Sequence, residues 1–252
     1  MRYYGSKSQS GKEISQVLLR ICPPGSVKGY IEPFCGSLGV MRHMTELGYK
    51  RYYAYDYCLD LILLWKQLIE GKFRKPKMTK EKWKKLRNSE SSALRAFAGF
   101  GCSFGGQWFR GYASDYEKVD SVSVAYRSLV NIKPKIKSVV FKQSDYKKLK
   151  PKGYLIYCDP PYSKTHCKGW GCKDVFNKHE FWDKVREWSK DNTVIVSEYS
   201  APRGFKSIWK KERYNGMKHV LTDKNKHKKI QVERLYKINK HNAFKRNPKA
   251  LS

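Results

Sequence analysis

Tyr154-Leu155-Ile156-Tyr157-Cys158 runs without a break into Asp159-Pro160-Pro161-Tyr162. An apolar run this short, bounded by a turn signal, reads as a strand buried on both faces. Two consecutive prolines cannot extend it, because neither has the N–H that a β-ladder requires. The strand must end there, with a carboxylate at its carboxyl tip. Similar short runs recur at residues 29–32, 51–55, 139–142 and 193–197, and helical patterns fill residues 11–21, 40–47, 58–70 and 178–189. In the third of these helices Leu61, Leu64, Trp65 and Leu68 keep the i, i+3, i+4, i+7 spacing of a buried stripe. Asn177 and Glu180 have the spacing of a capping box at the start of the fourth. Strands alternating with helices predict an α/β protein with a mostly parallel sheet and one antiparallel strand. Residues 231–238 read as a late strand, one arm of a hairpin.

Residues 71–135 interrupt this alternation. Their first part, residues 71–90, holds nine Lys or Arg against two acids, with Phe73 and Trp83 interleaved. A Gly- and aromatic-rich stretch follows, from Phe97 through Trp108 and Phe109 to Tyr112. It is too apolar for a linker and too glycine-rich for a regular helix. The whole segment reads as an inserted, mostly helical module, flanked by a catalytic domain made of residues 1–70 and 136–238. The Lys- and Asn-rich tail, residues 239–252, has the composition of a disordered segment.

Two places carry chemistry. In the first, Ile31-Glu32-Pro33-Phe34-Cys35-Gly36-Ser37-Leu38-Gly39, a strand passes through a glycine turn into a helix, which lets the backbone approach a nucleotide-like ligand. No Gly-Lys-Ser/Thr follows, so it is not a phosphate-binding P-loop, and the full G-x-G-x-x-G of a dinucleotide site is missing. Asp56 stands at the tip of the next strand, where a carboxylate can accept both hydroxyls of a ribose. The second place is Asp159-Pro160-Pro161-Tyr162. A carboxylate and a neighbouring carbonyl at a strand's end can both accept hydrogen bonds from an –NH2 group. This draws the nitrogen lone pair out of conjugation, as an aromatic amine requires before it attacks a methyl sulfonium. Tyr162 offers a flat face for stacking a base.

Charge narrows the partner. Lys and Arg number 53 against 22 Asp and Glu, a net +31 over 252 residues, which favours a polyanion. The seven cysteines show no paired spacing and fit a reducing compartment. His166, Cys167, Cys172 and His179 lack the C-x2-C spacing of a structural zinc site, so no metal is expected. The longest apolar runs, such as residues 61–65, fall far short of the ~20 residues of a bilayer span. No membrane association and no signal peptide are expected, which predicts an intracellular protein, cytoplasmic or associated with the nucleoid or nucleus.

Residues 31–39 and Asp159-Pro160-Pro161-Tyr162 resemble motifs I and IV of the DNA adenine N6-methyltransferases. Their order is similar to that of the Dam-like, or D12, class, in which a target-recognition module lies between them. Arg2-Tyr3-Tyr4-Gly5-Ser6-Lys7 resembles the opening motif of that class. The resemblance extends to about residue 238 and implies a Rossmann-like S-adenosylmethionine-dependent methyltransferase sheet. It also implies a site-specific methyl transfer to N6 of an adenine flipped out of double-stranded DNA. Tyr3, Lys7, Glu32, Pro33, Phe34, Gly36, Gly39, Asp56, Asp145, Tyr146 and Asp159 would surround S-adenosylmethionine, whose product is S-adenosylhomocysteine. Asp159, Pro160 and Tyr162 would be catalytic. Lys82, Lys84 and Lys85 are the expected phosphate contacts, and Gln107 and Arg110 the expected base readers. The segment Ser103-Phe104-Gly105-Gly106-Gln107-Trp108-Phe109 departs from the Arg- and Asn-containing motif of GATC-reading members, so no target site is implied. A cognate restriction endonuclease is a compatible partner. An RNA amino-methyltransferase acting on adenine or guanine shares the Asp-Pro-Pro-Tyr chemistry, and a non-catalytic DNA-binding relative shares the charge.

Overall fold

Five parallel strands form the centre of the sheet, and the chain changes direction between the first and the fourth. The computed structural model describes residues 1–116, 120–161, 176–214 and 230–239. The strands are β1 (Tyr30–Glu32), β2 (Tyr52–Asp56), β3 (Val139–Gln143), β4 (Leu155–Cys158), β5 (Thr193–Glu198), β6 (Phe205–Tyr214) and β7 (Ile230–Ile238). They lie in the order β3-β2-β1-β4-β5-β7-β6. β7 pairs antiparallel with both β5 and β6, so it alone runs against the rest. This is a Rossmann-like sheet with one reversed strand. From β1 the chain works outward to β3, then restarts at β4 on the other side of β1. In a sheet of this kind the crevice outside the carboxyl ends of the strands at that reversal is where ligands bind. Here those ends are Glu32 and Asp159.

Successive side chains of each strand go to opposite faces, and the two faces are covered differently. Tyr30, Tyr52, Ala54, Val139, Leu155 and Tyr157 pack beneath α1 (Gly11–Ile21), α2 (Met41–Met44) and α3 (Leu59–Ile69). Ile31, Ile156, Cys158, Val194 and Val196 pack against Phe181, Trp182, Val185 and Trp188 of α7 (Lys178–Trp188). Asn177 caps α7, its side-chain oxygen accepting from the amides of His179 and Glu180.

Residues 71–135 contain α4 (Lys80–Leu86), α5 (Ala93–Ala96), a π-helical turn at Phe97–Gly101 and α6 (Ser121–Ile132). This segment shares its core with the sheet: Trp83, Phe97, Phe100, Phe109 and Leu129 join Leu18, Leu64 and Trp65 in one buried cluster. Asp60 of α3 ties it down, accepting from the Ser92 amide at 2.7 Å and from Arg95 Nη1 at 3.0 Å. A buried carboxylate needs such partners.

The structure departs from expectation in two places. Helix over residues 40–47 shrinks to Met41–Met44, because the Glu46 and Leu47 amides bond carbonyls only three residues back, as in turns, and the chain leaves through Gly48 at φ +83°. β6 was not anticipated. Its Lys206, Lys210 and Lys211 hide the strand pattern, and the register shifts between Ser207 and Trp209. No helix among the described residues is long and apolar enough to cross a membrane. The disorder expected of residues 239–252 concerns, beyond Asn239, chain outside the described residues, as do His166, Cys167 and Cys172.

Candidate active site

Glu32 closes β1 and is buried. The Tyr30 hydroxyl donates to its Oε1 at 2.7 Å. Burial nonetheless pushes the Glu32 carboxyl up to about 8, with the nearby charge of Asp159 adding to it and hydrogen bonds from Tyr30 and the Met41 backbone opposing it. The turn beyond Glu32 is held from β2. The Gly36 amide donates to Asp56 Oδ2 at 2.9 Å and the Cys58 amide to Oδ1 at 2.9 Å, while Trp65 Nε1 donates to the Gly36 carbonyl at 3.0 Å. Each oxygen of Asp56 is thus already engaged by backbone, and the residue braces the turn at the place where the sequence suggested a ribose partner. Desolvation raises its pKa, and those amides pull it back.

Glycine has a second use here. A Cβ on Gly36, which sits at φ +44°, would lie 3.0 Å from the Tyr3 ring, and one on Gly39 would lie 3.0 Å from the Lys7 backbone. The sequence suggested that these glycines admit a ligand; they also admit the N-terminal segment. That segment delivers Lys7, itself buried, to the far side of the crevice. Lys7 Nζ donates to Asp159 Oδ1 at 2.7 Å and lies 3.4 Å from Glu233 Oε1 of β7. The Ser197 hydroxyl of β5 donates to the same Glu233 oxygen at 3.1 Å. One ammonium therefore meets a carboxylate just beyond β4 and another within β7.

These elements enclose a cavity of about 200 Å3. Tyr3, Lys7, Glu32, Pro33, Phe34, Gly36, Gly39, Asp56, Asp145, Tyr146, Asp159 and Pro160 all line it. Tyr162 lies outside the described residues. Phe34 and Tyr146 form an aromatic wall, their ring centroids 5.1 Å apart, and Phe176 extends it at 6.0 Å from Phe34. Burial lifts the Tyr146 phenol to about 12, helped by Glu180 and Asp145. Tyr57, Lys147, Phe176 and Glu180 also line the cavity and were not anticipated. Nor was Glu233, although it falls on the same strand face as the buried Leu235. Acids outnumber cations in the lining: Glu32, Asp56, Asp145, Asp159 and Glu180 face Lys7 and Lys147. The cavity suits a ligand with a positive charge and a flat ring.

The expected nucleic-acid contacts lie elsewhere. Lys82, Lys84 and Lys85 are exposed on α4 and line no part of the cavity. Arg110 Nη1 donates to Gln107 Oε1 at 2.6 Å, so these two surface residues hold each other. Their loop touches the N-terminal segment, since the Tyr4 amide donates to the Gly106 carbonyl at 3.0 Å. No group of three His, Cys, Asp or Glu able to hold a metal occurs among the described residues.

Residues 3–96 match the D12 class of N6 adenine-specific DNA methyltransferases. The D12 match takes in the opening motif, the glycine turn and Asp56; Asp159 and Glu233 lie beyond it. No curated protein matches the chain significantly. Solved structures match more distantly. A Pyrococcus horikoshii protein assigned to the RNA methyltransferases is 10% identical, with 93% of this chain and 84% of that one covered and a TM-score of 0.43. The rRNA methyltransferase AviRa of Streptomyces viridochromogenes is 12% identical over 90% and 83% of the two chains, with a TM-score of 0.42. The magnesium protoporphyrin IX methyltransferase of Synechocystis, solved with S-adenosylmethionine bound, is 10% identical over 92% and 79%, with a TM-score of 0.38. Likeness at this level says nothing of substrate.

Proposed function

We propose that this chain transfers a methyl group from S-adenosylmethionine to N6 of an adenine flipped out of double-stranded DNA. The observation that carries the reading is the meeting of Tyr3, Lys7, Gly36, Asp56 and Asp159 around one acid-lined cavity at the reversal of the sheet. A cationic sulfonium fits that lining, and the Phe34–Tyr146 wall fits an adenine ring. Glu32, Gly36, Asp56 and Asp145 would hold S-adenosylmethionine, which supplies the methyl group and becomes S-adenosylhomocysteine.

The remaining chemistry belongs to the chain. A paired adenine hides its amino group, so the nucleotide has to leave the stack. Asp159 and the Pro160 carbonyl accept hydrogen bonds from the amino group and make its lone pair available, and Tyr162 stacks on the ring. Lys7 fixes the direction of the Asp159 carboxylate, so the acceptor is in place before the base arrives. Asp159 need not be a strong base, since the amine becomes acidic only once methylated. The inserted segment would read the target through Gln107 and Arg110, with the lysines of α4 on phosphates.

The test is to incubate the protein and S-adenosylmethionine with duplex DNA or duplex RNA and to analyse the nucleosides by mass spectrometry. N6-methyladenine in DNA is expected. Methylated adenine or guanine confined to RNA would replace the DNA reading with the RNA one. Cofactor binding without any transfer would make the protein a non-catalytic relative.

A further inference from the structure

Residues 3–6 form a wall between two cavities of opposite character. On one side is the acid-lined pocket. On the other is an open cleft of about 750 Å3, bounded by this segment, the start of α2 and the end of α6. Its charged lining is cationic: Arg2, Arg42 and Lys135, with His43, Ser128 and Asn131 between them. Among the described residues no carboxylate lines it, although Glu46 reaches Lys135 from outside at 2.7 Å.

The cations are held in place. Arg42 Nη2 donates to the Ser8 carbonyl at 2.8 Å and its Nε to His43 Nε2 at 3.2 Å. Burial, then Arg42 and Lys135, keep the His43 imidazole below its usual range, against a smaller opposing effect of Glu46. A neutral imidazole accepts the Arg42 hydrogen bond and leaves the guanidinium as the charge facing the cleft. An anchored guanidinium loses little freedom when it meets an oxyanion.

We infer that this cleft seats phosphate groups of the DNA strand whose base enters the acid-lined pocket. The inference rests on the reading under Proposed function. A nucleotide joins a neutral ring to an anionic phosphate, and the two halves need different surroundings. The pocket's carboxylates accept the ring and repel the phosphate. Only one backbone segment separates that pocket from the cations of the cleft, so a strand crossing residues 3–6 satisfies both. Gly105, from the loop that carries Gln107, also lines the cleft and brings base reading to the same strand.

The experiment measures binding of duplex DNA across a salt series, with S-adenosylmethionine present. Each phosphate contact contributes about 0.9 to the log–log slope. An Arg42→Gln/Lys135→Gln protein should lose about two contacts' worth of slope, about 1.8, and keep its cofactor affinity. The charge-preserving Arg42→Lys/Lys135→Arg protein should retain the slope. If loss of the Arg42 anchor weakens cofactor binding, Lys135→Gln alone should still lower the slope by about 0.9. An unchanged slope overturns the inference. Saturable binding of inorganic phosphate that disappears in the double variant, with the DNA slope unchanged, would assign the cleft to a free anion and overturn the strand as its occupant. Methyl transfer is measured separately. Absence of transfer by the unaltered protein counts against the proposed function, whereas the slope tests the cleft.

Discussion

The acid-lined pocket and the Gly-aromatic loop lie on either side of the N-terminal segment, yet they are built in opposite ways. In the pocket the bonds that join one element to another span long stretches of sequence: Lys7 to Asp159 across 152 positions, Asp56 to Gly36 across 20. In the loop the polar groups are fixed locally, Arg110 to Gln107 three positions away. Buried groups need exact partners because an unpaired charge there is costly. Exposed groups can exchange partners with water or with a base edge at little cost. On the proposed function, chemistry would sit where rearrangement is expensive and recognition where it is cheap.

The sharpest way to break this contrast is at Asp159. Asp159→Asn removes the charge that Lys7 pairs with and turns a donor toward the substrate amine. It should lower turnover at saturating cofactor by on the order of 10²–10³, the usual cost of one preorganised electrostatic partner. Single-turnover methyl transfer measures this, with S-adenosylmethionine titrated separately. A mispaired, easily flipped target should not rescue it, because the defect follows flipping. A near-normal rate would mean that the buried network is structural only.

Glu32 gives the next largest effect, and it concerns stability. Burial raises its folded pKa to about 8 from an ordinary 4.5, so folding favours the neutral acid. That contribution is whole below the ordinary value and is lost as pH rises through about 8. Denaturant unfolding followed from about pH 4.5 to about pH 8 should show stability falling by on the order of a few kcal/mol across that window. Glu32→Gln should flatten the decline. A profile unaffected by Glu32→Gln would show that Glu32 is ionised throughout.

The loop should respond more weakly and in a different quantity. Gln107→Ala or Arg110→Ala should each relax target preference by roughly 1–3 kcal/mol, read from competition between sites, with cofactor affinity intact. If both variants keep full preference, their mutual hydrogen bond only shapes the loop. Last, neutralising Lys82, Lys84 and Lys85 together should flatten the salt dependence of DNA binding by up to about 3 in log–log slope. No change would make α4 a solvated face.

How legible each region was in the sequence follows from the same contrast. Strands such as residues 154–158 announce themselves, since burial on both faces demands an unbroken apolar run. The proline pair then marks where the strand stops. β6 did not, because an edge strand carrying Lys206, Lys210 and Lys211 looks like a solvated loop. The glycine turn was readable as a close approach, but not that Tyr3 and the Lys7 backbone would fill much of the space. Glu233 was missed for a related reason: its partners Lys7 and Ser197 are brought to it only by strand order. Local pattern gives the elements, and only the packed sheet shows which charges meet.

That meeting also has a consequence for the order in which the protein is made. Synthesis delivers Lys7 first, then Asp159, and Glu233 with β7. β7 lies between β5 and β6 although it follows both. A nascent chain that has emerged only as far as β6 has no strand to join that edge to the sheet, and Lys7 has Asp159 without Glu233. Early folding can settle the parallel centre, where neighbours arrive close together in time. The second carboxylate partner of Lys7 waits until β7 has been translated.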